Sequence, residues 1–246
     1  MCKLLLLLIL SAPAWGAVAH VASNQGYCNS SAHSGNMGSN CSSGVKTNTF
    51  THTPTAANNA VLIWVGCAGT SETTVTLTAT GWTITQVGSL IGSSAAGYAA
   101  LFKGYAPSTS AATFTVTFSA TCNDFMNDVL DEFSGVDQTN FVDSSLVALE
   151  TGSISINITP SVANAMVWAV ANDSITAVGA IGGTTATKGA DDTQQDWTEY
   201  RLLSGGSGVQ ISAAFTGTVP ATMAVVSIKP VAGSTVVRHN VSVIWQ

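Results

Sequence analysis

Charge is what this sequence has least of. Of 246 residues, Lys plus Arg number 7 and Asp plus Glu 13, so 8% of positions are charged, where about 25% is usual for a soluble domain. A net charge of -6 with so few cations cannot neutralise a run of phosphates, which excludes nucleic acid as a partner. The same shortage removes the basic patch that an anionic membrane surface attracts. No CxxC or HxxxH spacing occurs, which sets zinc aside although His33 lies between Cys28 and Cys41. A D-x-D-x-D-G calcium loop and a G-x-S-x-G nucleophile turn are both missing, and His20, His33, His52 and His239 have no paired nucleophile motif. Apolar runs are short, the first being Leu4 to Leu10, against the roughly 20 residues that cross a bilayer. At 46% hydrophobic the chain is nonetheless too apolar for disorder.

Polarity comes instead from hydroxyls, 28 Ser and 31 Thr, with 23 Gly. Met1-Cys2-Lys3, the Leu4 to Leu10 run and the break at Ser11-Ala12-Pro13 form the pattern of a secretory signal peptide. Ala17-Val18-Ala19 places the cut after Ala19, with Ala12-Pro13-Ala14 as the earlier alternative. The organisation read from this is a signal peptide over 1–19, one sandwich domain over 20–230 and a tail over 231–246. The mature chain is then secreted, extracellular or periplasmic, with no membrane attachment after cleavage. Four cysteines remain, an even number in an oxidising compartment. The preferred pairing is Cys28–Cys41 and Cys67–Cys122. The first closes a loop of Gly, Ser and Asn without apolar residues to hold it, and the second joins positions just past two apolar runs, Val61 to Val65 and Thr113 to Phe118. Loop entropy makes these worth about 3 and about 4 kcal/mol.

Periodicity argues for strands almost throughout. Thr74 to Thr78, Thr113 to Phe118 and Ser153 to Ile158 alternate polar with apolar, as strands with one wet face do. Thr suits that face, its branched Cβ fitting the pleat and its hydroxyl meeting water. Ala60 to Val65, Ala165 to Val170 and Met223 to Ile228 are apolar on both faces and read as central strands. Many short strands between Gly-rich turns predict an all-β protein, an antiparallel two-sheet β-sandwich or barrel. Phe125, Met126, Val129, Leu130 and Phe133 fall at helical spacing, but strand neighbours favour a strand through Val129 to Val136 that ends near Gly135.

Asp131-Glu132-Phe133-Ser134-Gly135-Val136-Asp137, followed by Thr139-Asn140-Phe141-Val142-Asp143, resembles the E-[FY]-S-G-V-D strand end and T-N-P-x-D loop of a loose group of uncharacterised secreted bacterial proteins. Further pieces fall in the order this resemblance implies: an opening strand from Ala17 to Ala22, a strand introduced by Asn59, Gly81-Trp82-Thr83, and a closing strand from Val225 to Pro230. It covers roughly residues 17 to 230 and implies a jelly-roll-like antiparallel sandwich, with the motif shaping a turn. Phe141 departs from the usual proline, the 28 to 41 insertion is unusual, and the tail runs past the expected end. Its alternating Val241 to Trp245 reads as an extra strand or a segment for self-association.

Carboxylates cluster in two stretches, Asp124 to Asp143 and Asp191 to Glu199. Asp137 and Asp143 are the weak candidates for a structural calcium ion, against the plainer reading of solvated loop charges. Trp197, Tyr200, Asp192, Asp196 and Glu199 gather rings and acceptors suited to a sugar, although in a strand Trp197 and Glu199 share one face and Tyr200 takes the other. The expectation is therefore a secreted non-catalytic sandwich that binds a glycan or surface polymer, or serves adhesion or assembly. No catalytic residue and no cofactor beyond a possible calcium is assigned. The alternative is a glycoside hydrolase pairing Glu132 with Asp191 or Glu199.

Overall fold

The computed structural model describes residues 17–29, 33–35, 44–69, 71–94, 96–151, 153–172, 175–191, 197–217 and 220–231. Residues 1–16 of the expected signal peptide, Cys41, Asp192, Asp196 and the tail from residue 232 lie outside them, and so do the side chains of Cys28, Asp191 and Trp197. The described residues form strands and no helix. The expected antiparallel sandwich is found, and within 20–230 its strands group into two halves.

The first half contains β1 (Ala19–Asn29), β2 (His33–Gly35), β3 (Val45–His52), β4 (Ala60–Gly69), β5 (Val75–Ala79), β6 (Ile84–Ser93), β7 (Gly97–Tyr105) and β8 (Ala112–Ser134). The 23-residue β8 belongs to two layers. Its N-terminal part lies between β3 and β5, and its C-terminal part lies between β1 and β4. The inner layer thus runs β1-β8-β4-β7-β6. Helical spacing at Val129 and Phe133 misleads because both faces of this strand are covered. Val129 and Phe133 enter one core and Leu130 another, so apolar residues need not alternate.

The second half contains β9 (Val142–Thr151), β10 (Ile154–Ile158), β11 (Met166–Asn172), β12 (Ile175–Ile181), β13 (Thr184–Thr185), β14 (Thr187–Asp191), β15 (Trp197–Leu202), β16 (Ile211–Gly217) and β17 (Pro220–Ile228). Its inner sheet runs β9-β17-β11-β15-β14 and its outer sheet β10-β16-β12-β13. Strand for strand this repeats the first half, with β9 for β1, β10 for β3, β11 for β4, β15 for β7, and β16 and β17 for the two parts of β8.

Details of the chain agree with a tandem duplication. Thr53-Pro54-Thr55-Ala56-Ala57-Asn58 precedes β4, and Thr159-Pro160-Ser161-Val162-Ala163-Asn164 precedes β11. Among the described residues, Asn58 and Asn164 are the non-glycine residues at positive φ, 65° and 58°, a region that Asn enters at lower cost than most side chains. One residue beyond each, the Asn59 carbonyl accepts from Ala106 N and the Ala165 carbonyl from Leu203 N, at 2.8 and 2.9 Å. The inner layers face each other in opposite order, β1 meeting β14 and β6 meeting β9. That is the arrangement of a pseudo-twofold axis along the strands, as in an isologous dimer. Near that axis the chain beyond β8 meets the chain beyond β17, in a bridge between Val136 and Pro230.

Three cores result. Between the halves, Leu62, Trp64, Leu101, Val129 and Phe133 pack on Trp168, Val170, Ala224 and Val226. Within the first half, Phe50, Leu77, Phe114, Val116 and Phe118 pack on Val61, Ile63, Val65 and Phe102. Within the second, Ile154, Ile156 and Phe215 pack on Val167, Ala169, Met223 and Val225. Each fully buried large side chain contributes about 1.5–3 kcal/mol of transfer free energy.

Cys67 and Cys122 are disulfide-bonded, as the sequence led us to expect, with Cα atoms 5.4 Å apart. Glu72 is buried beside them. Its Oε2 accepts from Ala120 N at 2.6 Å and Ser119 Oγ at 3.1 Å, which leaves Oε1 3.9 Å from Cys67 Sγ. A negative oxygen there repels an attacking thiolate and makes Cys67 a poorer leaving group. Glu72→Gln is therefore expected to accelerate reduction by dithiothreitol severalfold, followed by alkylation and mass shift. Equal half-times for the two proteins would show that burial alone protects the bond.

Candidate functional site

The sequence motif lies where the two halves join. Gly135, with φ 69°, turns the chain out of β8 in a conformation costly for a residue with a Cβ. Val136 then inserts into the central core. Asp137 Oδ1 accepts from the backbone N–H groups of Thr139 and Asn140 at 2.8 and 2.9 Å, and these two bonds hold its carboxyl below the ordinary carboxylate range. The Tyr105 hydroxyl donates to the Asp137 carbonyl at 2.6 Å and accepts from Phe141 N at 3.1 Å. Phe141 is buried and meets the Tyr105 ring edge-on at 5.2 Å. Residues 135–140 thus form a turn.

That turn forms one wall of a cavity of about 520 Å³, within the range of small-ligand sites. The opposite wall comes from β6 and β7, through Thr83, Thr85, Lys103 and Tyr105. Lys103 Nζ donates to Asn140 Oδ1 at 2.7 Å and lies 6.0 Å from the Phe141 ring centre. Partial burial, and repulsion from Lys229, lower the Lys103 pKa from its ordinary value. Backbone bonds from Lys229 N to the Phe141 carbonyl, 2.7 Å, and from Asp137 N to the Lys229 carbonyl, 3.0 Å, tie that second lysine's strand to the turn. Hydroxyls, an amide, an ammonium group and aromatic edges therefore converge on one concave surface. Lys103 was not singled out in the sequence, because a lone lysine in a strand carries no motif.

The neighbouring acids point into the protein. Glu132 is fully buried and accepts from Thr55 N at 2.9 Å, Thr55 Oγ1 at 2.7 Å and Asn59 Nδ2 at 2.6 Å, all on Oε1, while Oε2 lies 3.1 Å from His52 Nε2. Burial works to raise the Glu132 pKa, but these donors outweigh it and the net direction is down. Burial lowers that of His52, against the opposing pull of Glu132. The second half repeats the device with a carboxylate from the neighbouring strand. Ser161 N donates to Asp143 Oδ2 at 2.6 Å, and Ser161 Oγ donates to Oδ1.

Asp131, on the opposite face of β8, gathers residues that the sequence did not connect. Its Oδ1 lies 2.9 Å from His20 Nε2 and accepts from Ser23 Oγ at 2.5 Å, and its Oδ2 accepts from Trp168 Nε1 at 2.6 Å. Ser23 Oγ is also 2.9 Å from His20 Nε2. In a nucleophile relay the two imidazole nitrogens face different partners. Here one nitrogen meets both, and the serine is bonded directly to the carboxylate, so the group clamps β1 and β11 onto β8. His20 stacks on Tyr200 at 4.4 Å across the halves.

Of the residues expected to bind a sugar, the two whose side chains are described, Tyr200 and Glu199, take opposite faces of β15. Tyr200 is paired with Trp168 and faces the central core, whereas Glu199 is paired with Ala169, faces the second-half core and is buried. Glu132 and Glu199 are both buried and turned to different cores, so they do not flank a common cleft. Asp137 and Asp143, the calcium candidates, are each engaged by the separate donors described above. No family model matches the chain, and no match was found among curated proteins or solved structures.

Proposed function

We propose that this protein is an exported, non-catalytic binding module whose ligand, a glycan or surface polymer, occupies the cavity between the Asp137–Phe141 turn and β7. The observation that carries this reading is the convergence of Lys103, Asn140, Thr83, Thr85 and Tyr105 on one cavity in a chain otherwise so poor in charge. Hydroxyl and amide groups suit sugar hydroxyls, and the partly exposed Tyr105 ring suits their C–H groups. Removing a charged hydrogen-bonding partner is expected to weaken binding about tenfold or more. Glycan-array screening followed by calorimetry on a hit provides the check, with Lys103→Ala weakened and Lys46→Ala unchanged. Lys46 donates to the Ser119 carbonyl on another strand pair. Indifference of every hit to Lys103→Ala removes the cavity from the function.

Export rests on the leader pattern, and the fold bears on where the leader is cut. Val18 is 2% exposed and packs in the central core, and Ala19 pairs with Ser134. Cleavage after Ala14 keeps that side chain, whereas cleavage after Ala19 removes it together with the start of β1. The mature chain is thus expected to begin at Trp15, as intact mass of the exported protein will report. A start at His20 would show the Val18 contact to be dispensable.

A further inference from the structure

The second half places another cavity at the same end of the molecule. In the first half, β7 and the C-terminal part of β8 both end opposite the start of β4, at Ala60. In the second half, β15 and β17 both end opposite the start of β11, at Met166. Because the bridge between Val136 and Pro230 joins the ends of β8 and β17, both sets of loops lie at one pole. The Lys103 cavity is at the end of β7. At the matching end of β15, a cavity of about 200 Å³ is lined by Arg201, Leu203, Ser204, Gly205 and Val209. Arg201 directs Nη1 to the Ile181 carbonyl at 2.6 Å, and the remaining N–H groups of its guanidinium suit an anion bound in a forked geometry.

The cations are placed alike but not identically. Lys103 is opposite Leu62 in β4, whereas Arg201 is opposite Val167 in β11, the counterpart of Val61. One position along a strand reverses the face, so Lys103 serves the side toward the central core and Arg201 the outer side. Lys103, Lys229 and Arg201 together place three of the chain's 7 basic residues at this pole, beside the Asp137 carboxylate, enough to meet single carboxylates at two points although not a dense run of phosphates. Strand and layer spacings put the two cavities about 20 Å apart, too far for one small sugar and within reach of a polymer.

We propose that the pole is bivalent and that its partner is a linear polyanionic saccharide, carrying a carboxylate on successive sugars, which occupies both cavities at once. This rests on the reading of the Lys103 cavity as the ligand site and adds to it the charge of the ligand, its length and a second point of attachment. A chain held at two points gains by effective concentration, and its attraction to the lysines and arginine is screened by salt.

The test measures binding of polygalacturonate, of its di- and trisaccharide fragments and of neutral dextran to the full exported protein. Binding of polygalacturonate is expected to be at least about tenfold tighter than that of the fragments, per chain. Lys103→Ala should weaken both lengths. Arg201→Ala, and Ser204→Asp on the exposed loop, should abolish only the advantage of length. Ser204→Asp introduces a repelling charge without removing the Arg201 bond to Ile181, so it separates lost binding from lost folding. Equal affinity for dextran overturns the anionic class, and a length advantage absent in wild type, or unaffected by both second-cavity variants, overturns bivalency. Absence of binding to any saccharide, neutral or acidic, overturns the parent reading and the inference with it.

Discussion

Exchanging Trp168 for phenylalanine is expected to lower stability by about 3 kcal/mol, whereas the same exchange at Trp64 should cost about 1 kcal/mol or less. Both rings are fully buried in the central core, so the loss of volume is alike. Their nitrogens differ. Trp168 Nε1 donates to the buried carboxylate of Asp131 at 2.6 Å, whereas among the described residues Trp64 Nε1 has no hydrogen-bond partner. Phenylalanine at 168 deprives a desolvated carboxylate oxygen of its indole donor, and phenylalanine at 64 removes a polar atom already unsatisfied. Urea denaturation of both variants measures the contrast. Equal losses would mean that the contact joining β11 to β8 adds nothing beyond packing.

Glu132→Ala should have a larger effect, about 3–5 kcal/mol, because it strands several buried donors at once. The His52 ring, the Thr55 amide and hydroxyl and the Asn59 amide all converge on this carboxylate. Acid should act through the same group, and the sign follows from the two shifts. Glu132 has a lowered folded-state pKa, so its contribution is complete above its ordinary value of 4.5 and is lost as pH falls further. His52 is also lowered, by desolvation. The unfolded chain therefore takes up a proton on His52 below its ordinary value of 6.5 while the folded one resists, so stability falls there too. Wild type is expected to lose thermal stability on going from pH 7 to pH 5, and His52→Gln to hold level over that interval and decline only nearer pH 4. Parallel pH profiles for the two proteins would exclude His52 as the source of the upper limb.

The architecture was legible in the sequence wherever one face of a strand meets water. The Thr-rich alternation of residues 113–118 set Phe114, Val116 and Phe118 in a core, and the Cys67–Cys122 pairing followed from its position past that run and the wholly apolar run Val61 to Val65. Residues 124–133 were harder, because a strand buried on both faces has no period to display. The duplication was also written in the chain, as Thr53-Pro54-Thr55 and Thr159-Pro160-Ser161, each followed three residues later by an Asn. The supporting carboxylate differs, Glu132 from β8 in one half and Asp143 from β9 in the other, so the short match has no second motif to reinforce it. The Lys103 cavity could not be read at all, since its walls are brought together by the meeting of a turn and a strand end distant in sequence.

The face shared by the two halves has a history implied in it. Leu62, Trp64 and Leu101 on one side, and Trp168, Val170 and Val226 on the other, would stand in water if either half existed alone. A single-copy ancestor with this architecture would have had to self-associate, and its folding would have varied with its concentration. Joining the two halves in one chain makes that encounter internal, so the molecule stays folded however dilute it is. It also leaves each half free to carry its own cavity chemistry, Lys103 on the side toward the central core and Arg201 on the outer side.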